Sequence, residues 1–135
     1  MPSPDAIPGS AREWLARARG DLALARAPLP EGAFLDDLCF HAQQAEEKAI
    51  KAVYRDRGWP FRYVHVIEEL LTGLKQHGVA IPPELEEAVI LTGYATTGRY
   101  PSREEPVTPE EHAEAVALAE RVVAWVVGVT GNPPR

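Results

Sequence analysis

The chain has 135 residues, of which 45% are hydrophobic and 25% charged, and its formal net charge is −6. These values are typical of a single globular domain that buries its own core without disulfides or a structural metal. The acidic balance argues against duplex DNA as a ligand, because phosphate contacts require a basic patch. Cys39 is the single cysteine, so it cannot form an internal disulfide, and no Cys and His set has zinc spacing.

Residues 1–9 contain three prolines and one glycine, which predicts a disordered N-terminal arm. This segment has neither the basic nor the apolar region of a signal peptide. No apolar run approaches the ~18 residues that are needed to cross a bilayer. We therefore expect a cytoplasmic protein that has no membrane contact, no metal and no cofactor.

Five segments show the apolar spacing of helices, and capping or helix-breaking residues bound them. Ser10 with Glu13, and Thr108 with Glu111, form capping boxes, and Pro82-Pro83 opens another helix. The predicted helices cover about residues 10–27, 34–57, 64–76, 82–98 and 108–127. The predicted fold is all-α: an up-and-down four-helix bundle with an additional short helix, spanning residues 10–128 and followed by a tail at 129–135.

The second helix carries the most information, because its faces differ in character. Small and apolar residues recur every three or four positions and form one inward seam: Leu35, Leu38, Ala42, Ala45, Ala49 and Ala52. Beside this seam, His41, Gln44 and Lys48 form a polar stripe with Asp37. The stripe is suited to present hydrogen-bond donors and a positive charge to a phosphate, or it is simply a solvated flank.

The opposite face of the second helix carries Phe40, Gln43, Glu47 and Tyr54. Two large aromatic groups on one helix face are typical of a surface that a partner covers, although single exposed aromatics also occur on monomers. We therefore expect this face to be the interface of a homodimer.

The run from Phe40 to Ala52, Phe-His-Ala-Gln-Gln-Ala-Glu-Glu-Lys-Ala-Ile-Lys-Ala, closely resembles the second-helix signature of prokaryotic HEPN domains. Arg99-Tyr100-Pro101 resembles the second short motif of that family, and His65 matches a histidine usually found between the two. The order and spacing fit along roughly residues 10–127.

This resemblance implies a helical bundle, often dimeric, that binds a nucleotide and works beside a minimal nucleotidyltransferase. The candidate nucleotide or phosphate ligands are His41, Gln44, Lys48, His65, Arg99 and Tyr100. Arg99 suits planar, bidentate phosphate binding or a salt bridge to an acidic flank. Tyr100 suits base stacking or core packing, and His65 suits either proton transfer or the capping of the third helix.

Other branches of the family are RNA-cleaving toxins of toxin–antitoxin pairs, which use an arginine followed by four to six residues and a histidine. Here seven residues separate Arg57 from His65, two separate Arg62 from His65, and eight separate Arg103 from His112. The sequence therefore favours a nucleotide-binding or partner-binding module without catalysis. A metal-independent ribonuclease and a purely structural dimerisation adaptor are the alternatives.

Overall fold

The structure, a computed structural model, describes residues 9–61, 67–96 and 106–131. Within these ranges the chain forms five α-helices and no β-strand, which confirms the predicted all-α fold with one short helix. The helices are α1 (Ala11–Arg26), α2 (Leu35–Arg57), α3 (Ile67–Gln76), α4 (Pro83–Thr96) and α5 (Pro109–Thr130). The predicted arm at 1–9 lies outside the described residues apart from Gly9, as do the predicted start of the third helix and the predicted end of the fourth.

The capping residues identified in the sequence begin α1 and α5. Thr108 Oγ1 accepts the N–H of Glu111, and the Glu111 carboxylate accepts the N–H of Thr108 in return. At α1, Ser10 Oγ accepts the N–H of Glu13, while the Glu13 carboxylate accepts the N–H of Gly9. The bonds to Ser10 and Thr108 satisfy N–H groups that the first turn of each helix would otherwise leave unpaired, and the bonds to Glu13 and Glu111 satisfy N–H groups just before the helix.

The C-terminal end of α5 differs from the prediction. The last helix was expected to end near Val127 with a tail from residue 129, but it continues to Thr130 and passes through Gly128. Gly131 ends it instead, because that glycine adopts a φ of 70° in the left-handed region that stops a helix. Gly128 has no positive φ and is tolerated inside the helix at a cost of about 1 kcal/mol.

The core forms where α2 packs between α1 and α5. The four alanines of the predicted seam, Ala42, Ala45, Ala49 and Ala52, are fully buried. Because alanine has the smallest apolar side chain, neighbouring helices approach α2 closely along this line. Larger side chains fill the remaining space, and they include Leu15 and Leu22 from α1 with Leu118, Val122 and Val126 from α5.

Tyr54 lies in this core, so the prediction that it is exposed on an interface face is wrong. Its side chain is 4% exposed, and its hydroxyl donates to the carbonyl oxygen of Leu70 at 2.6 Å. The hydroxyl lies where a side chain at Gly73 would begin. The short helix α3 therefore packs over the C-terminal part of α2 and covers a face that the α2 sequence alone suggested was open.

Candidate functional site: a groove along the second helix

A groove of about 490 Å³ runs along α2, with Trp14 of α1 on one side and Ile67 of α3 on the other. We call it the α2 groove. Its α2 residues recur at the three- and four-residue intervals that bring side chains to one helix face. They are Phe40, Gln43, Gln44, Glu47, Lys48 and Lys51.

An ion-pair cluster around one buried carboxylate lies beside the α2 groove and shares Lys48 with it. Lys48 Nζ is 2.6 Å from Oδ2 of Asp21, and His41 Nδ1 is 3.1 Å from Oδ1 of the same carboxylate. We call these three residues the Asp21 cluster. Asp21 is 6% exposed, so it is a carboxylate in the interface between α1 and α2.

Asp21 therefore orients the two side chains of the polar stripe that carry nitrogen atoms suited to anions. An ionised carboxylate only accepts hydrogen bonds, so His41 donates through Nδ1–H and its Nε2 is directed away from Asp21. The ammonium of Lys48 has three N–H donors, and Asp21 lies on only one side of it. Burial strengthens this pairing because the local dielectric is lower than that of water.

Sequence reasoning missed Asp21, although a signal for it was present. Leu15, Ala18, Leu22 and Ala25 mark the buried stripe of α1, and Asp21 falls on that stripe three residues after Ala18. A carboxylate on an apolar helix face needs a partner. The partner comes from another helix, so the α1 sequence could not name it.

Lys51 is held by a second buried arrangement at the end of the α2 groove. Its Nζ lies 2.8 Å from Oε2 of Glu47. It also lies 5.5 Å from the centre of the Trp14 ring and 5.4 Å from that of Phe61. The ring faces are electron-rich and attract a cation, so a carboxylate and two aromatic rings stabilise this buried ammonium.

The described charges around the groove balance. Lys48 and Lys51 contribute two positive charges, whereas Asp21 and Glu47 contribute two negative charges. His41 adds a positive charge only when its ring is protonated. The arrangement thus offers oriented donors without a large excess of positive charge.

The structure brings together part of the predicted ligand set. Gln44 and Lys48 line the α2 groove, and His41 meets Lys48 at Asp21. His65, Arg99 and Tyr100 lie outside the described residues, so their roles and their distance from the groove stay predictions.

The predicted interface residues divide between two environments. Phe40 is 54% exposed at the edge of the α2 groove, and Gln43 and Glu47 line the groove beside it. Tyr54 does not join them, because it is packed against α3. The surface available to a partner is therefore narrower than the sequence suggested and is centred on Phe40.

Two residues from the arginine–histidine pairs considered above make structural contacts. Arg57 Nη2 donates to the carbonyl oxygen of Val129 at 3.3 Å and joins the ends of α2 and α5. His112 Nε2 lies 2.8 Å from the carbonyl oxygen of Ala25 and joins α5 to the end of α1. Both contacts satisfy backbone groups near helix ends, where carbonyl oxygens lack partners within the helix.

Glu46 is a buried acidic residue of α2. It is 2% exposed, and its Oε2 has no hydrogen-bond partner among the described residues. Burial raises the pKa of Glu46 to about 8, because removing water disfavours the charged carboxylate. It does not line the α2 groove and was not among the residues predicted for the site.

A second cleft, of about 620 Å³, lies between the end of α2 and α3. Its wall includes Tyr54, Phe61 and His77 together with the carboxylates of Glu68 and Glu69. Its described lining has two carboxylates and no Lys or Arg, so this cleft is unfavourable for a phosphate. The α2 groove is therefore the better candidate for an anionic ligand.

In the described part of the chain, no group of three or more His, Cys, Asp or Glu side chains is placed to hold a metal ion. None of the described helices has both the length and the apolar character of a membrane-spanning helix.

The helical bundle defines an all-α domain, and the comparisons with known proteins identify its family. The model of the HEPN domain matches residues 11–129. The crystal structure of TT1696 from Thermus thermophilus is 35% identical over 89% of this chain and 98% of that one, with a TM-score of 0.73. ST0689, an archaeal HEPN homologue, is 28% identical over 90% and 98% of the two chains, with a TM-score of 0.69. A search of curated proteins finds no match. The chain belongs to the HEPN family.

Proposed function

We propose that this HEPN-family chain is a non-catalytic nucleotide-binding module and that the α2 groove is its ligand site. One observation carries the proposal: Trp14, Gln44 and Lys48 line the same groove. These residues supply an aromatic face, an amide and an ammonium, which are the three kinds of group that recognise a base and a phosphate.

Each group has a distinct part in binding. Stacking of a base on an aromatic side chain contributes roughly 1–3 kcal/mol and does not depend strongly on base identity. The amide of Gln44 provides both a donor and an acceptor for the edge of a base. Lys48 provides donors to a phosphate, Nε2 of His41 adds one donor only when the ring is protonated, and Asp21 keeps both side chains in place.

Isothermal titration calorimetry with nucleosides and nucleotides of the four common bases tests the proposal. We expect saturable binding by the unmodified protein and at least about a tenfold loss in Gln44→Ala and Lys48→Ala, the change that ~1.4 kcal/mol produces. Lys75→Ala is the matched control, because Lys75 forms an exposed ion pair with Glu86 away from the groove. Flat titrations with every nucleoside and nucleotide would exclude the site.

A second function, binding of a partner protein, is favoured by Phe40. This ring is 54% exposed where it borders the groove, and exposed aromatics at the edge of a concave surface are typical of protein interfaces. The partners that we propose are a second copy of the chain and a minimal nucleotidyltransferase.

Sedimentation velocity of the isolated chain and of its mixture with the nucleotidyltransferase tests this second function. Phe40→Asp should lower the mass of any complex formed by the unmodified protein. Phe34→Asp is the control, since Phe34 is 67% exposed but does not line the groove. An equal effect of the two substitutions, or no complex at all, would argue against the Phe40 surface.

A further inference from the structure

We infer that Asp21 sets the charge selectivity of the α2 groove, so that its ligand is a nucleoside or nucleoside monophosphate rather than a triphosphate. This inference rests on the proposed nucleotide site and deepens it by naming the ligand class. It starts from the contact between Asp21 and the two phosphate-binding candidates, Lys48 and His41.

The charge balance limits how much phosphate the groove can neutralise. Lys48 is 2.6 Å from the Asp21 carboxylate, and Lys51 is 2.8 Å from that of Glu47. Each lysine therefore already has an anionic partner. One phosphate group brings about −1.5 to −2 charges at neutral pH, and further phosphate groups bring more. The additional phosphate charge would lie near the carboxylates of Asp21 and Glu47, and both lysines of the groove are already paired with these carboxylates.

Burial keeps Asp21 in position when an anion approaches. A surface carboxylate can rotate into water and release its lysine, but Asp21 is 6% exposed between α1 and α2. Moving it would also break its contact with His41 Nδ1. Its negative charge therefore remains next to Lys48 and acts on every phosphate that enters.

A single phosphate group is compatible with the same geometry. The ammonium of Lys48 has three N–H donors, so it can hold Asp21 and still donate to one phosphate. His41 donates to Asp21 through Nδ1, and its Nε2 donates to the same phosphate only when the ring is protonated. The Asp21 cluster therefore supplies only a few hydrogen-bond donors, and Asp21 holds them in fixed positions. This arrangement favours a ligand with one phosphate group over a ligand with three.

The experiment compares the affinities of adenosine, AMP and ATP by calorimetry at one ionic strength. The unmodified protein should bind AMP at least about tenfold more tightly than ATP, a ratio equivalent to about 1.4 kcal/mol. Asp21→Asn keeps the shape of the side chain and removes its charge, so it should reduce or reverse that ratio by about tenfold or more.

Two further variants separate this effect from damage to the fold. Glu47→Gln removes a carboxylate that lines the groove directly and should shift the AMP-to-ATP ratio in the same direction, even if Asp21→Asn does not fold. Glu120→Gln removes an exposed carboxylate that pairs with Arg26 and should leave the ratio unchanged.

The outcomes distinguish the ligand class from the proposed function. Preference of the unmodified protein for ATP, or an unchanged ratio in a folded Asp21→Asn variant, would overturn the role of Asp21 while leaving nucleotide binding intact. If Asp21→Asn does not fold, an unchanged ratio in Glu47→Gln has the same meaning. No binding of adenosine, AMP or ATP, with no binding of other nucleotides, would remove the proposed function and this inference together.

Discussion

Replacement of Glu46 by glutamine should stabilise the protein increasingly as the pH rises from 5 to 8. Glu46 is almost completely buried, and its Oε2 has no hydrogen-bond partner among the described residues. Burial raises its pKa from an ordinary value of 4.5 to about 8. Glutamine has nearly the same shape and cannot ionise, so the substitution changes the charge behaviour with little change in packing.

The direction of the effect follows from the protons bound in each state. Below pH 4.5 the carboxyl is protonated in both the folded and the unfolded chain, so it contributes no pH dependence. Between pH 4.5 and 8 the unfolded chain loses this proton while the folded chain retains it. The free energy of unfolding then falls by about 1.4 kcal/mol per pH unit. Above pH 8 both states are ionised and the loss levels off.

At pH 7 the penalty reaches about 3 kcal/mol, since that pH lies about 2.5 units above the pKa of the unfolded chain. Such a loss is a large part of the 5–15 kcal/mol that typically stabilises a domain. Near pH 5 the glutamine variant and the unmodified protein should differ little. The protonated carboxyl and the amide are both buried polar groups without a charge.

Urea unfolding followed by circular dichroism at pH 5, 6, 7 and 8 measures this difference. Other titrating groups contribute equally to both proteins, so the difference between Glu46→Gln and the unmodified chain isolates Glu46. Glu114→Gln is the control, because Glu114 lies on an exposed face of α5. A stability difference that stays constant from pH 5 to pH 8 would refute the reasoning.

Two further predictions concern the fold. Gly73→Ala should destabilise the protein by about 1–3 kcal/mol in urea unfolding, although alanine favours helices, because the new Cβ would collide with the Tyr54 hydroxyl. A stable Gly73→Ala variant would show that α3 can shift without cost, and Gly20→Ala, where nothing lies near the added Cβ, is the matched control. Thr108→Ala should cost about 1 kcal/mol of unfolding free energy through loss of the α5 cap. Thr108→Ser should retain most of the cap, and an equal loss in both variants would point to a different role for Thr108.

Features that depend on a few neighbouring residues could be predicted from the sequence. The bond from Glu111 N–H to Thr108 Oγ1 needs only one turn of helix, and the burial of Ala45 follows from its place in a periodic seam. The placement of His41 and Lys48 on one edge of α2 is equally local, because two helical turns separate them. Each of these features was predicted from the spacing of residues within a single helix.

Features that depend on which helix packs against which could not be predicted in this way. The partner of Lys48 and His41 is Asp21, which lies on α1 and is separated from them by a loop. The burial of Tyr54 depends on α3, because the carbonyl oxygen that accepts from its hydroxyl and the glycine against which that hydroxyl packs both lie on that helix. A helical pattern determines which residues share a face, whereas burial and pairing of that face depend on the element that covers it. Only the tertiary structure therefore showed that Lys48 and His41 are already paired with Asp21.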